Sequence, residues 1–137
     1  MSKISTVVAG TAVAALAALL PSTAQAAPSQ LSADGNLHAY LGAYRTSQCA
    51  QWEGNSSDWG SCANVTHSLW NNGVDDGMGD VLVYWGTGWT GAYRCINTGT
   101  VIDDLSTVTF NRGSGGGRGQ TLENNIASHR WVPSGTC

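Results

Sequence analysis

The amino-acid sequence predicts an all-β domain with many turns, and three features favour this fold class. The chain has 18 glycines and six tryptophans, and only 11% of its residues are charged. Residues 81–96 indicate a β-hairpin, because two runs rich in β-branched and aromatic residues flank a short glycine-containing turn. No segment combines a helical period of apolar residues with capping residues at its ends. We therefore expect strands and turns throughout the folded part of the chain.

The first 26 residues indicate a signal peptide. Lys3 provides a positive start, residues 7–20 are apolar or small, and Ala24-Gln25-Ala26 fits the small-residue pattern of a cleavage site. The apolar run is too short and too rich in alanine for a membrane anchor, and no other stretch is long enough to span a bilayer. We expect a secreted, extracellular protein that begins at Ala27 and has no membrane partner.

The mature chain is acidic, which argues against a nucleic-acid partner. Without Lys3 it has five arginines against nine aspartates and glutamates, a formal charge of −4. Its basic residues do not cluster, so the electrostatic attraction that drives nucleic-acid binding is missing. The 111 residues from Ala27 onward are enough for one small domain, which we expect to be a monomer.

Composition divides the mature chain into an arm and one domain. Residues 27–46 form an N-terminal arm and a first strand, and the arm is polar and contains proline. Residues 47–137 form the domain, with a glycine-, aspartate- and asparagine-rich linker at 71–80 between its two halves. The glycine-rich stretch 112–119 predicts a flexible loop.

All four cysteines follow the cleavage site, and an even number in a small exported domain implies two disulfides. Three connectivities are possible. We favour Cys49–Cys62 and Cys95–Cys137, because these pairs keep each bridge within one half of the domain. A zinc site is the competing interpretation, but the sequence has no C-x2-C pair and the extracellular compartment is oxidising.

The predicted hairpin contains an aromatic-x4-aromatic-x-glycine spacing, formed by Tyr84, Trp89 and Gly91. This spacing lets the first ring fold across the turn, over backbone that only glycine leaves uncovered. We expect Tyr84 to pack over the turn between Gly86 and Gly91. We also expect Gly91 to adopt a backbone conformation that is disfavoured for other residues.

The two halves of the domain indicate an internal repeat. The segment at 63–70 (ANVTHSLW) aligns with the segment at 124–131 (NNIASHRW). Each segment follows an aromatic-glycine hairpin, which the alignment places at 52–60 in the first half and at 84–91 in the second.

A hairpin followed by N-N-x-x-S-x, present twice, resembles the double Greek-key domain of βγ-crystallins. More closely, the SLWNNG and NNIASHRWV motifs, the VYWG-GW-GAYRC block and the terminal cysteine resemble the βγ-crystallin-like peptidase inhibitor family of secreted actinobacterial proteins. The likeness covers about residues 47–137, although the first hairpin is one residue longer than the usual spacing. It implies a β-sandwich of two four-stranded sheets and, in the best-known members, inhibition of thermolysin-like metallopeptidases.

The resemblance and the residues together favour an inhibitor over an enzyme. The sequence has no G-x-S-x-G, H-E-x-x-H or P-loop pattern, and His38, His67 and His129 are scattered. We expect a secreted inhibitor of extracellular, thermolysin-like metallopeptidases that binds its peptidase partner through a rigid, disulfide-pinned segment. Cys95-Ile96 is the candidate reactive segment, since it offers a bulky apolar residue beside a bridged cysteine. The alternative role for Ile96 is a buried strand position.

A second class of function stays open. A non-inhibitory βγ-crystallin-like domain would be a binding protein or an antimicrobial, killer-toxin-like protein, and exposed tryptophans would suit stacking on carbohydrate. Trp85 and Trp89 discriminate between these possibilities. Coplanar rings that face solvent would indicate a sugar platform, whereas rings folded over Gly91 would belong to the core.

Calcium is the one metal that the resemblance implies. In βγ-crystallins a loop with the pattern N/D-N/D-x-x-S/T-S binds this ion through oxygen atoms, and Asn124, Asn125 and Ser128 fit it, with His129 replacing the last serine. Calcium prefers several oxygen ligands that include carboxylates, and these three residues supply none. We expect weak calcium binding at best and no other cofactor. In the alternative role, such loops tie off the hairpins through side-chain to backbone hydrogen bonds.

Overall fold

Seven β-strands in two antiparallel sheets form the framework of the computed structural model, which describes residues 32–137. The first sheet has the strand order β2-β1-β3-β6, and the second has the order β5-β4-β7. The strands are β1 (Asn36–Tyr40), β2 (Gln48–Trp52), β3 (Ser68–Asn72), β4 (Asp80–Tyr84), β5 (Tyr93–Ile96), β6 (Val101–Ile102) and β7 (Ser128–Val132).

The all-β prediction is confirmed, because helical structure in residues 32–137 is limited to short 3-10 turns of three residues each. No helix in this range is long and apolar enough to cross a membrane. The predicted signal peptide and the first residues of the predicted arm lie outside the described residues.

The core lies between the two sheets and follows the two-residue period of the strands. Leu37 and Ala39 of β1 face Val81 and Val83 of β4 within one apolar cluster, and all four side chains are fully buried. Other strands and connecting segments complete this cluster with fully buried Leu69, Leu105, Phe110, Leu122 and Ile126.

Both predicted disulfides are confirmed. The Cys49–Cys62 bridge joins β2 to the turn before β3, with 5.9 Å between the Cα atoms. The Cys95–Cys137 bridge joins β5 to the C-terminal residue, with 5.4 Å between the Cα atoms.

Asp80 holds the C-terminal end of the chain from inside the fold. This buried carboxylate accepts hydrogen bonds from the backbone amides of Thr98 and Cys137, each at 3.0 Å. Burial alone would raise the pKa of Asp80, but the amide hydrogen bonds outweigh it and hold that pKa below its ordinary value.

Each half of the domain lends a segment to the sheet of the other half, as a pair of interlocked Greek keys requires. From the second half, β6 pairs with β3 at Leu69 and Trp70. From the first half, Ser56 forms an isolated bridge with His129 of β7. The resemblance implied two four-stranded sheets. The second sheet has only three strands, because the segment that would form its fourth strand makes a single bridge, Ser56 to His129, instead of a ladder.

The first hairpin differs from the one in the repeat alignment. The partner of the hairpin at 84–91 is not 52–60 but residues 40–47, which run from the end of β1 through the turn that precedes β2. The strand predicted within residues 27–46 is therefore β1, and it pairs with both β2 and β3. The same backbone hydrogen bond closes both turns, from Gly42 N to Thr46 O at 3.0 Å and from Gly86 N to Thr90 O at 2.9 Å.

The glycine-rich stretch 112–119, predicted to be a flexible loop, packs against the second hairpin. Arg112 and Tyr93 exchange backbone hydrogen bonds of 2.9 and 3.0 Å, and Gly116 O accepts a bond of 2.8 Å from Ala92 N. Glycine is used here because the backbone approaches its neighbours closely, not because the segment must move.

The prediction for Gly91 is confirmed, since its φ is +79°. The aromatic ring packed against Gly91 is that of Trp85. The Tyr84 ring is buried beside Tyr93, with 5.4 Å between the ring centroids.

Candidate functional site at the loop crossover

Two loops cross between the sheets and bind each other through their backbones. We call residues 62–67 and 122–128 the loop crossover. Asn64 N donates to Ile126 O at 2.9 Å, and Asn124 N donates to Thr66 O at 3.0 Å, so the two bonds have the same form. Asn64 and Asn124 both occupy the left-handed region, with φ of 60° and 57°. Asparagine is among the residues that tolerate this conformation best.

Ser68 and Ser128, the first residues of β3 and β7, hydrogen-bond to the two hairpins. The Ser68 hydroxyl donates to Gly42 O at 2.6 Å and accepts from Arg45 N at 2.9 Å. The Ser128 hydroxyl makes the matching pair, to Gly86 O at 2.6 Å and from Trp89 N at 3.1 Å. The structural repeat therefore aligns Ser68 with Ser128, one residue away from the alignment drawn on sequence.

The three predicted calcium ligands do not point to one common site. Ser128 is fully buried and its hydroxyl is committed to the second hairpin. Asn124 and Asn125 instead line an open groove, and the Asn125 amide also donates to Thr121 O and Glu123 O at 2.9 and 3.0 Å. The described residues contain no group of three or more His, Cys, Asp or Glu side chains that could hold a metal. Of the three predicted calcium ligands, only Asn124 and Asn125 thus lie at the groove.

This groove, which we call the asparagine groove, has a volume of about 370 Å³. One tryptophan and several amide or hydroxyl side chains surround it, and none of its described lining residues is charged. The lining residues are Asn64, Trp85, Gly86, Thr87, Asn124, Asn125 and Ala127.

On the other side of the loop crossover, Val65 projects into solvent with 40% of its surface exposed. Its segment is tied down at both ends. Cys62 is bridged to Cys49, and Ala63 N donates to Gly60 O at 3.1 Å. At the far end, His67 N donates to Tyr40 O at 2.9 Å. An apolar side chain is therefore displayed on a short, braced piece of backbone.

The candidate reactive segment Cys95-Ile96 lies in β5. Ile96 is 3% exposed and belongs to the core cluster, because its pairing with Val81 turns it toward the opposite sheet. Its carbonyl accepts from the buried Asn71 amide at 3.1 Å. In this folded state the Ile96 side chain cannot enter a pocket of another protein, so the buried-strand alternative is the one found.

Trp85 and Trp89 are both partly exposed, at 38% and 41%. They do not form the coplanar pair expected of a two-ring sugar platform, since no stacking between them occurs among the described aromatic pairs. Trp85 folds over Gly91, whereas the Trp89 indole donates to His129 O at 2.9 Å.

His129 forms a buried network that the sequence did not indicate. Its Nδ1 accepts from the Trp59 indole at 2.8 Å, and its Nε2 donates to Gly54 O at 2.9 Å. Burial lowers the pKa of His129 to about 4, and the hydrogen bond to Gly54 only partly opposes this shift. The neutral imidazole thus fixes the 54–59 loop to β7. No local motif could have shown it, because Trp59 lies 70 residues away in the chain.

A second groove, of about 470 Å³, lies beside this network and is acidic. Three of its described lining residues are carboxylates and none is basic. The lining residues are Asp34, Gly35, Glu53, Gly54, Asn55, Val74, Asp76, Met78 and Trp131. One carboxylate is already partnered, since Asp34 pairs with His38 at 2.8 Å.

The fold is similar to that of solved βγ-crystallin domains. A domain from work on the evolution of the eye-lens βγ-crystallin fold matches 72% of this chain and 86% of its own, with a TM-score of 0.54 and 16% identity. A βγ-crystallin from Ciona intestinalis matches 72% of this chain and 100% of its own, with a TM-score of 0.51 and 12% identity. No protein-family model matches the sequence, and no curated protein does. These similarities confirm the βγ-crystallin-like double Greek-key fold and say nothing of activity.

Proposed function

We propose that this protein is secreted and inhibits a secreted peptidase by placing residues 62–66 in the enzyme's substrate cleft. Val65 would be the apolar side chain that fills a subsite. The observation that supports this proposal is the exposure of Val65 on backbone braced by a disulfide and by hydrogen bonds at both ends. The proposal keeps the function implied by the resemblance and moves the reactive segment away from Cys95-Ile96.

Rigidity is the property that an inhibitory segment needs. A flexible peptide loses conformational freedom when an enzyme holds it, whereas a braced segment has lost that freedom on folding. Cys62 N and Ala63 N are both hydrogen-bonded to the preceding turn, at 3.0 and 3.1 Å, and Asn64 N is bonded to the opposite loop at 2.9 Å. Little further ordering would therefore be required on binding.

Comparison of the two repeats indicates that the surface around Val65 is more apolar than the equivalent surface at the asparagine groove. Leu41 occupies the hairpin position of Trp85, and Val65 occupies the loop position of Asn125. Trp85 and Asn125 both line the asparagine groove, so Leu41 and Val65 should lie together in the same way on the other side. Leu41 is 45% exposed. Two neighbouring exposed aliphatic side chains suit a peptidase that prefers a bulky apolar residue after the scissile bond, as thermolysin-like enzymes do.

Replacing Val65 tests the proposal. Val65→Asp would place an unpaired charge in an apolar subsite, which is costly to desolvate. We expect inhibition of a thermolysin-like metallopeptidase to weaken by at least about 100-fold. Because Val65 is exposed, we expect the free energy of unfolding to change by no more than about 0.5 kcal/mol. Peptide hydrolysis assays give the inhibition constant, and urea unfolding gives the stability.

Val74→Asp is the matched control, because Val74 is similarly exposed (44%) but lies in the acidic groove. It should inhibit as the parent does, within about threefold. If folded Val65→Asp inhibits as strongly as the parent, the reactive segment lies elsewhere. If the parent inhibits neither metallopeptidases nor serine peptidases, the proposal fails, and a non-inhibitory βγ-crystallin-like binding protein replaces it.

A further inference from the structure

The Trp85 indole packs closely against three glycines, Gly91, Gly116 and Gly117. A Cβ on Gly117 would overlap Cγ and Cδ1 of the indole, and a Cβ on Gly116 would lie 2.6 Å from Cζ3 and 2.9 Å from Cε3. A Cβ on Gly91 would lie 3.3 Å from Cε3. Real Cβ atoms essentially never approach closer than 3.0 Å, so only glycine at 116 and 117 leaves room for the ring in this position.

A hydrogen bond also fixes the position of the Trp85 ring against these glycines. The indole Nε1 donates to Gln120 Oε1 at 3.1 Å. Although these glycines pack against Trp85, 38% of the residue remains exposed, and it lines the asparagine groove. The protein therefore presents an immobilised aromatic surface beside an open groove.

The polar groups around this surface are neutral. Thr87 provides a hydroxyl, and Asn64 and Asn124 provide amides that can both donate and accept hydrogen bonds. Asn125 provides an acceptor oxygen, because its NH2 group is committed to Thr121 O and Glu123 O. Asn64 and Asn124 are held in place by the crossed backbone bonds of 2.9 and 3.0 Å. One aromatic surface with convergent polar side chains offers a ligand both a stacking face and hydrogen bonds.

We propose that the asparagine groove binds a neutral saccharide, with one sugar ring stacked on Trp85. The C–H face of a pyranose carries a weak positive charge that complements the negative face of an indole. Its hydroxyl groups donate and accept, as do the amides and hydroxyl that line the groove. The absence of charge among the described lining residues argues against phosphate, uronic acid and basic peptides, whereas the acidic groove elsewhere on the domain would attract cations.

The two halves of the domain differ at this position. Leu41 takes the place of Trp85 in the first hairpin, and Val65 takes the place of Asn125, so the equivalent surface lacks both the ring and one amide. This asymmetry predicts one saccharide site per domain. Because leucine occupies the matching position of the first hairpin, Trp85→Leu is the replacement that we expect to keep the hairpin backbone.

The test measures binding of cellohexaose, laminarihexaose and fully N-acetylated chitohexaose by amide NMR and tryptophan fluorescence, with EDTA present. We expect at least one of these neutral glycans to shift the resonances of Trp85 and Asn124 at millimolar concentration. Trp85→Leu should weaken that binding at least about tenfold. Asn124→Gly removes one amide while keeping a residue that accepts positive φ, and it should weaken binding about three- to tenfold.

Trp89→Leu is the matched control, because Trp89 is as exposed as Trp85 but does not line the groove. It should change affinity by less than about twofold. Val65→Asp should also leave saccharide binding intact, so this proposal stands or fails separately from peptidase inhibition. Absence of binding to all three glycans would overturn the proposal. So would binding that appears only when calcium replaces EDTA, or binding that Trp89→Leu abolishes as fully as Trp85→Leu does.

Discussion

At the scale of single residues, His129 and His67 show how far a one-residue shift changes an interpretation. The sequence alignment placed the two histidines in corresponding Ser/His pairs. In the structural alignment His129 corresponds to Leu69, a core residue, and His67 corresponds to Ala127. His67 accordingly pairs with Glu123 at 2.9 Å near the surface, whereas His129 is fully buried. β7 therefore has a histidine where β3 has an apolar side chain, and this histidine is hydrogen-bonded to Trp59 and Gly54.

Acid should destabilise the protein through His129. Its pKa is about 4 in the folded state, against an ordinary value of 6.5. Above pH 6.5 the ring is neutral in both states, so its stabilising contribution is fully present. Between pH 6.5 and 4 only the unfolded chain gains the proton, and the free energy of unfolding falls by roughly 3 kcal/mol in total. Urea unfolding at several pH values measures this loss.

His129→Asn provides the comparison, since asparagine keeps an acceptor for the Trp59 indole but does not titrate. The variant should be less stable than the parent at pH 7, and the difference between them should narrow toward pH 4. Equal pH dependence in the two proteins would contradict the lowered pKa of His129.

At the scale of elements, the two hairpins adopt the same backbone with different residues. Gly88 and Gly91 have positive φ in the second hairpin, and Tyr44 and Ser47 have positive φ at the matching positions of the first. The second hairpin could be predicted from the sequence because glycine marks such conformations. The first could not, because tyrosine and serine give no such signal, and the prediction fell on residues 52–60 instead.

Gly91→Ala should destabilise the second hairpin by more than about 1 kcal/mol. The φ of +79° is unfavourable for alanine, and the added Cβ would lie 2.9 Å from Gly116 O, which is backbone and cannot easily move. Ser47→Gly at the equivalent position should change stability by less than about 0.5 kcal/mol. Thermal unfolding of both variants measures the effects, and an unchanged Gly91→Ala protein would show that the turn relaxes without strain.

At the scale of the whole molecule, local sequence patterns predicted the fold class, whereas the pairing between distant segments became visible only in the structure. The all-β class, the hairpin of β4 and β5 and both disulfides followed from composition, spacing and compartment. The exchange of β6 and Ser56 between halves did not, because pairings between distant segments leave no local period. The sequence also left Ile96 open between a reactive residue and a buried strand residue, since its partner Val81 decides which face it occupies. The candidate site was found only in part: Asn124 and Asn125 were recognised, but Val65 was not.

Covalent cross-links rather than a bound ion should account for the stability of this small domain. The bridged cysteines are 42 residues apart in Cys95–Cys137 and 13 apart in Cys49–Cys62. Loop entropy alone gives contributions of roughly 4 and 3 kcal/mol. Calcium would find the neutral oxygens of Asn124 and Asn125, and none of the described residues that line their groove is a carboxylate. Its affinity should therefore be low.

Thermal unfolding with and without reductant, and with calcium or EDTA, separates these contributions. Reduction should lower the free energy of unfolding by several kcal/mol. Millimolar calcium should add less than about 1 kcal/mol, because a ligand present near its dissociation constant contributes little through mass action. Calorimetry supplies the affinity directly. A submicromolar dissociation constant, or a calcium-dependent stabilisation as large as that of the disulfides, would mean that the loop crossover rearranges to offer the ion more oxygens than its folded geometry displays.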